Sequence, residues 1–395
     1  MSQKISREYP HLKFAKQWNL TPSDMFILGQ CDALITAVNN TPIDPKYYQE
    51  IKGVMLIKGA QSTTAIEGNT LTEEEIIKVS NGQKLQPSKE YQAIEVENIL
   101  NAFNDLVTKV FSGEHEKLIT PELLLHFHRM VGSNLGDHFS AIPGKFRSGS
   151  NNVVVGKYRA TEGVDVELLI EKFCQFLRDE FRFERGDHKC IDVIIEAIVA
   201  HVYIEWIHPF GDGNGRTGRL VEFYILLRGC LPDITLHILS NHYNLTRPEY
   251  YRQLQKSSET RDLTEFIRYA IIGLKDGLDS VLQKIQKSQT GITWRAYIYD
   301  RFDAIPQGKE ETHKRRRTLA LELPLNQKVT IHDIPELSIK LAKLYGNMSE
   351  KTLQRDLDEI FTMNIIVKSG DKYEPNISLL NTMFAQNKTS NTTRL

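Results

Sequence analysis

His208-Pro209-Phe210-Gly211-Asp212-Gly213-Asn214-Gly215-Arg216-Thr217-Gly218-Arg219 is the stretch that organises this chain. It holds one imidazole, one carboxylate, four glycines and two arginines. Small residues let a backbone approach phosphate closely, and two permanent cations favour an anion beside it. A histidine at the edge of the same loop can move a proton on whatever approaches that phosphate. The flanks set the loop in place. Ile191 to Ile207 is apolar almost all round, broken by Asp192, Glu196, His201 and Glu205, and such a helix is central and buried. Thr217 to Leu227 reads as a second helix ending near Gly229. The loop therefore runs into a helix N-terminus, where free N–H groups and the helix dipole attract anions.

Outward from this hairpin the chain reads as mainly α. Ile51 to Ile66 and Glu90 to Val107 carry apolar residues at mixed three and four spacing. Thr72 is an N-cap followed by Glu73, Glu74 and Glu75, and Thr120 caps a helix that has Pro121 at its first position. Between Ile142 and Val166 the texture changes to glycine, asparagine and the β-branched run Val153-Val154-Val155, which predicts a hairpin or loop. Helix resumes over Asp165 to Phe181, and Tyr250-Tyr251 and Phe266-Ile267 fall on later helices.

Three other readings of the loop fail on its residues. A Walker-type loop needs Lys-Ser/Thr after the glycines and a strand before them, but Arg216-Thr217 stands there and the lead-in is helical. An EF-hand counted from Asp212 puts Arg216 at position five and Phe223 at position twelve, where ligands are required. A purely structural turn does not call for two arginines three apart on one helix face beside His208 and Asp212.

The loop resembles the Fic (Fido) family signature, H-P-F-x-D/E-G-N-G-R-x-x-R, at every defined position. The lead-in His201 to Ile207 is similar too, and the likeness runs from about residue 40 to 275. The resemblance implies a helical bundle with a β-hairpin flap, transferring AMP from ATP to a Ser, Thr or Tyr hydroxyl of a protein. It implies His208 as general base and Asp212 as the carboxylate for Mg²⁺. Gly213, Asn214 and Gly215 would form an anion hole, the Asn214 side chain adding a donor. Arg216 would grip the β-phosphate and Arg219 the γ-phosphate, with Gly218 between them. Gly144 to Thr161 would be the flap, whose edge takes a target strand. Tyr250 and Tyr251 sit where the family has aromatics near adenosine, although Thr246 replaces the usual Asn before Arg247.

Thr63-Thr64-Ala65-Ile66-Glu67-Gly68 resembles the family's inhibitory motif, S/T-x-x-x-E-G/N, placed ahead of the catalytic loop. Thr63 and Glu67 are four apart, so a helix puts them on one face. By the resemblance, Glu67 would pair with Arg219 and leave ATP in a non-productive pose.

Beyond Trp294 a second unit begins, after the polar stretch Gln283 to Gly291. A capped helix over Ser349 to Leu357 and two strands around Ser369-Gly370-Asp371 suggest a small winged helix-turn-helix domain. Lys314 to Arg317, Lys351 and Arg355 are basic, but Glu350, Asp356, Asp358 and Glu359 share the helix. Contact with DNA or with protein both stay open for it. The expected organisation is an N-terminal helical region with the inhibitory helix (1–110), a catalytic domain (111–285), a winged-helix-like domain (290–380) and a disordered tail (381–395).

Net charge is −1, which excludes a whole-molecule electrostatic trap for nucleic acid. Cys31, Cys174, Cys190 and Cys230 have no zinc-like spacing and are expected as free thiols. Met1 to Ile5 lacks an apolar core for a signal peptide, and no stretch is long and apolar enough to span a membrane. A cytoplasmic, membrane-free protein is expected, with a homodimer open. The leading expectation is a self-inhibited protein adenylyltransferase using ATP and Mg²⁺. Removal of AMP by the same site, and a nucleotide-sensing DNA-binding regulator, are the alternatives.

Overall fold

The computed structural model describes residues 5–149, 153–155, 158–181, 190–229, 231–304 and 310–380. The expected tail, Cys230 and the middle of the flap lie outside them. The chain divides into two compact units, Met1–Leu282 and Gln283–Leu395.

The first unit is built on helices α1 (Pro22–Asn40), α2 (Pro45–Ala65), α3 (Glu73–Ser80), α4 (Glu90–Ser112), α5 (Pro121–Val131), α6 (Val166–Glu180), α7 (Cys190–Ile207), α8 (Asn214–Gly229), α9 (Ile238–Leu245) and α10 (Arg247–Thr260), and on the start of α11 (Thr264–Asp303). Local sequence starts them. Thr21 with Asp24 and Thr72 with Glu75 form reciprocal capping boxes, and the Thr120 hydroxyl accepts from Leu123 N–H. Two short antiparallel strands, β1 (Val154–Val155) and β2 (Tyr158–Arg159), pair between α5 and α6.

The core is the antiparallel pair α7 and α8. Close approach of the two helices depends on glycine. A Cβ on Gly218 would stand 3.2 Å from His201 Nδ1, and one on Gly229 would collide with Val193. Neighbouring helices then wrap α8 with aromatic contacts. Phe103 of α4 stacks on Phe223 at 4.1 Å, and Phe127 of α5 meets Tyr224 edge-on at 5.3 Å.

One expectation changes here. Cys31 and Cys174 are free, but Cys190 is disulfide-bonded. The tight α7–α8 pairing, with Gly229 against Val193, brings the start of α7 to the end of α8, a proximity that sequence spacing does not display. The polar stretch Gln283 to Gly291 begins where the two compact units divide, and it is helical, because Gln and Lys are good helix formers and no proline interrupts α11.

The second unit contains the rest of α11, then α12 (Glu310–Glu322), β3 (Val329–Thr330), α13 (Ile339–Tyr345), α14 (Glu350–Thr362), β4 (Ile366–Ser369) and β5 (Lys372–Pro375). Its strands are ordered β3-β5-β4, all antiparallel, and Gly370 supplies the positive φ of the β4–β5 turn. Trp294, Phe302, Leu319, Leu357 and Ile360 are among its core residues. Arg315 and Arg316 both turn onto the buried Asp356, at 2.7 and 2.8 Å. Among the described residues no helix is long and apolar enough to cross a membrane.

Candidate active site

The loop between α7 and α8 is held by its own residues. The Asn214 carboxamide accepts from Phe210 N–H at 2.8 Å and donates to Phe210 C=O at 2.9 Å. This closes the turn and starts α8 at Asn214, three residues before the helix expected from the sequence. The Asn214 side chain thus has its oxygen and one of its two N–H donors engaged within the loop, which leaves the second amide N–H and the backbone N–H for an anion hole. Gly213 precedes it with φ of +74°, and a Cβ there would lie 2.9 Å from the Phe139 ring.

Beneath the loop, Phe210 is fully buried and stacks on His128, with centroids 3.7 Å apart. Gly144 N–H donates to His128 Nδ1 at 3.0 Å, so Nε2 carries the proton and donates to Asp212 C=O at 3.0 Å. Sequence reading missed His128. Its position in an ordinary amphipathic helix gives no signal.

Asp212 points partly outward, its side chain 30% exposed. One oxygen accepts from Gly213 N–H at 2.5 Å and from Arg216 at 3.1 Å, the other from Ser140 N–H at 3.1 Å. Among the described residues no cluster of three metal-binding side chains occurs. A single carboxylate at an open edge fits Mg²⁺, which takes most of its other ligands from phosphate and water.

Both arginines are buried and meet carboxylates. Arg219 Nη2 donates to Glu67 Oε1 at 2.6 Å and to Thr63 C=O at 2.9 Å. Arg216 Nη1 donates to Glu95 Oε1 at 2.5 Å. Nε of both arginines, and Nη1 of Arg219, have no hydrogen-bond partner. Orphaned guanidinium donors in a buried site suit a polyanion. Glu95 was not read from the sequence, where it is one acid among many on α4.

Glu67 lies in the turn just past the end of α2 rather than on the helix, and Gly68 carries that turn with φ of +102°. The helix-face argument for Thr63 therefore changes. Thr63 reaches Arg219 through its carbonyl, and its buried hydroxyl has no partner. Burial pushes the Glu67 carboxyl up, but Arg219 outweighs it and holds the group below the ordinary range. The Glu67 side chain is 34% exposed at its rim while protein atoms crowd its carboxylate. A Cβ on Gly215 would collide with that carboxylate. Glu67 thus stands over the first turn of α8.

His208 follows α7 in a left-handed conformation, φ +52°. Burial, then the nearby Arg147 charge, lowers its imidazole to about 4, so the ring is neutral at neutral pH. Its Nδ1 has no partner. Glu205, one turn before, is raised to about 7, chiefly by desolvation of its carboxyl. Tyr250 is a core residue, 1% exposed, with its hydroxyl against His201 Nε2 at 2.9 Å. It lies beside the charges of Arg219 and Glu67. Tyr251 is 42% exposed and donates to Ile66 C=O at 3.1 Å, beside the Glu67 turn.

The buried histidines make a pH prediction. His128 and His208 are lowered to about 4 and His201 to about 3, in each case chiefly by burial. Between those values and the unfolded value near 6.5, the unfolded chain binds more protons, so stability rises with pH. Glu196 and Glu205, raised to about 7, and Glu222, raised to about 8, all chiefly by burial, act in the opposite sense, so the histidine contribution is read by difference. In thermal unfolding followed by circular dichroism, the midpoint at pH 7.5 minus that at pH 5 is expected to be smaller in His128→Gln than in the parent chain, and an equal pH dependence of the two contradicts burial of this ring in neutral form.

Residues 118–226 match the Fic/DOC family model. The Fic/DOC segment thus holds α5 to most of α8, including the whole loop, while Thr63, Glu67 and Tyr251 lie outside it. Over 208 residues the chain is 31% identical to the protein adenylyltransferase fic-1 of Caenorhabditis elegans, covering 52% of this chain and 37% of that protein. It is 27% identical over 222 residues to the protein adenylyltransferase Fic of Nematostella vectensis, covering 56% and 47%. The chain spans less than half the length of these curated relatives. A Fic family protein from Desulfovibrio desulfuricans G20 shares the fold at a TM-score of 0.53 and 19% identity, covering 91% of this chain and 97% of that one. A fragment of Fic-1 from C. elegans does so at 0.52 and 24% identity, covering 67% and 74%. These structures have in common with the chain a mainly α-helical Fic-type fold.

Proposed function

We propose that the chain is a protein adenylyltransferase held in check by Glu67. The observation that carries this reading is the contact of Arg219 with Glu67 inside a loop that also presents His208 and Asp212. Neutral His208 takes the proton from a target hydroxyl as its oxygen attacks the α-phosphorus of ATP. The bond to the β-phosphate oxygen breaks and pyrophosphate leaves. The N–H groups at the start of α8 and the two arginines receive the phosphate charge. Asp212 would hold Mg²⁺, which when bound neutralises phosphate charge.

Glu67 occupies the cation that the γ-phosphate needs. It also brings a negative charge to the place the phosphate would take. The resting site therefore favours apo or misplaced nucleotide. That the relatives are protein adenylyltransferases supports the same reading.

Parallel incubations of the Glu67→Gly chain with cell lysate and ATP labelled at either the α- or the γ-phosphorus test it. Protein is expected to acquire the α-label and not the γ-label. Transfer of γ-label would make the site a kinase and sink the proposal. Release of label from pre-modified protein by the wild-type chain would instead favour AMP removal.

The second unit has the strand and helix order of a winged helix-turn-helix, with α13 and α14 as the helix pair and β4–β5 as the wing. We read it as a protein-docking module rather than a DNA reader. Arg315 and Arg316, central to the basic run, are both engaged by Asp356. Fluorescence anisotropy of the full chain with duplex DNA is expected to show no steep fall in affinity between 50 and 200 mM salt, because few phosphates are neutralised, in contrast to the roughly 10³-fold loss of a true DNA binder. A steep salt slope counts against this assignment.

A further inference from the structure

The last turn of a helix leaves carbonyls without helical partners. At the end of α7 and just past it, the four carbonyls from Trp206 to Pro209 are taken by residues of the flap region. The Tyr158 hydroxyl donates to Trp206 C=O. The Thr161 hydroxyl donates to Ile207 C=O at 2.8 Å. Arg147 Nη2 donates to the same Ile207 oxygen at 3.1 Å, and Arg147 Nε donates to His208 C=O at 2.6 Å. Arg147 backbone N–H donates to Pro209 C=O at 2.9 Å. Arg147 Nη2 also donates to Thr161 Oγ1 at 3.0 Å, joining the two limbs of the flap. Arg147 is only 7% exposed.

We propose that Arg147 is a positioning residue for the transfer reaction: it fixes the backbone at His208 and ties that backbone to both limbs of the flap. The inference rests on the reading of His208 as the general base.

The geometry gives the reason such a residue is needed. Catalytic histidines are commonly oriented by a carboxylate on the second ring nitrogen. Here no carboxylate meets His208 Nδ1, and the ring faces the Glu205 backbone carbonyl instead. The ring's position then depends on the backbone of this turn. That backbone is left-handed at His208, a conformation that few non-glycine residues adopt without outside support. Arg147 supplies the support with a charged, planar fork whose donors match carbonyls in one plane. Its cation at the C-terminal end of α7 also complements the helix dipole.

The consequence is a link between target and base. A target strand laid along β1 or β2 registers its hydroxyl against the flap. The flap, through Arg147 and Thr161, is already bonded to the peptide units around His208. The hydroxyl and its base are thus located from one set of atoms. A shift in that frame misplaces the base without removing any group that contacts nucleotide.

The test uses the full chain carrying Glu67→Gly, so that transfer is measurable. Turnover is normalised to the sites that bind a non-transferable ATP analogue, which discounts unfolded material. Arg147→Gln is expected to lower kcat about 100-fold, the scale of a one-ångström misplacement, with analogue Kd changed by less than about threefold. Arg147→Lys, which keeps the charge and can reach one carbonyl, is expected to fall between parent and Gln. Thr161→Val, nearly isosteric, is expected to lower kcat up to about tenfold by removing one hydrogen bond.

Arg147→Gln with kcat within about threefold of the parent would overturn the proposal, since positioning errors cost far more. If Arg147→Gln fails to bind the analogue, Thr161→Val decides, and an unchanged kcat there overturns it. His208→Ala runs alongside. Parental activity in His208→Ala means the base assignment is wrong. Inactive His208→Ala with fully active Arg147→Gln leaves the base in place and removes only Arg147.

Discussion

Exchanging His208 for alanine is expected to lower AMP transfer by about 10²- to 10⁴-fold, the range for loss of a general base. The ring is neutral at neutral pH, because burial and the Arg147 charge hold it at about 4. It therefore accepts a proton at once, without first losing one. The same depressed value means that transfer should stay level from pH 8 to pH 6, where an ordinary histidine would already be half protonated near 6.5. No nucleotide contact is assigned to His208, so affinity for an ATP analogue should persist in the variant. Rate measurements at saturating ATP, beside analogue binding by calorimetry, check both halves. Near-parental turnover would show that another group takes the proton.

Glu67→Gly should act in the opposite direction. Transfer is expected to rise by roughly 10- to 100-fold, the equivalent of a hydrogen bond between charged groups. A surface ion pair would give far less, and Glu67 is 34% exposed at its rim. Two observations argue against that discount. Arg219 itself is buried, with 1% of its side chain exposed, and its contact with Glu67 is 2.6 Å long. The carboxylate also stands where a Cβ on Gly215 would be, over the first turn of α8. Its removal frees a cation and an anion-binding helix end together. Initial rates of label incorporation from ATP give the comparison. The glycine also loosens the turn after α2, so Glu67→Gln serves as a second variant. It keeps the shape, removes the charge, and should activate less.

The parts of this site that could be read from the sequence are those written in adjacent residues. The loop's glycines, His208, Asp212 and the two arginines lie within one run, and their chemistry follows from type and spacing. The buried character of α7 was legible because its apolar residues leave no polar face. Thr63 and Glu67 were legible as a pattern, but the pattern implied a helix face. The turn at Gly68 changes how each reaches Arg219, one by carboxylate and one by carbonyl. Asn214 was legible as a donor, but its hold on the Phe210 backbone was not, because that pairing exists only once the loop has closed.

What stayed hidden depends on tertiary approach. Arg147 meets His208 across 61 residues, Glu95 meets Arg216 across 121, and Gly144 fixes the tautomer of His128 across 16. None of these pairs leaves a local mark. Tyr250 could be read as an aromatic of the site or of the core because tyrosine serves both, and its burial against His201 is a matter of packing. The polar run Gln283 to Gly291 begins at the division between units, but polarity marks exposed helix as well as loop, and the chain there is helix. In each case the sequence offered two physical solutions of similar cost, and packing selected one.

In the proposed mechanism Arg219 is contested between Glu67 and the γ-phosphate. The decisive measurement is the initial rate of AMP transfer from α-labelled ATP to protein for the wild-type chain, Glu67→Gly and Glu67→Gly/Arg219→Ala. Expected are a low rate, a rise of about one to two orders of magnitude, and a return to the low rate or below it when the arginine is also lost. A Glu67→Gly rate equal to wild type, or a double variant as active as Glu67→Gly, would contradict that mechanism.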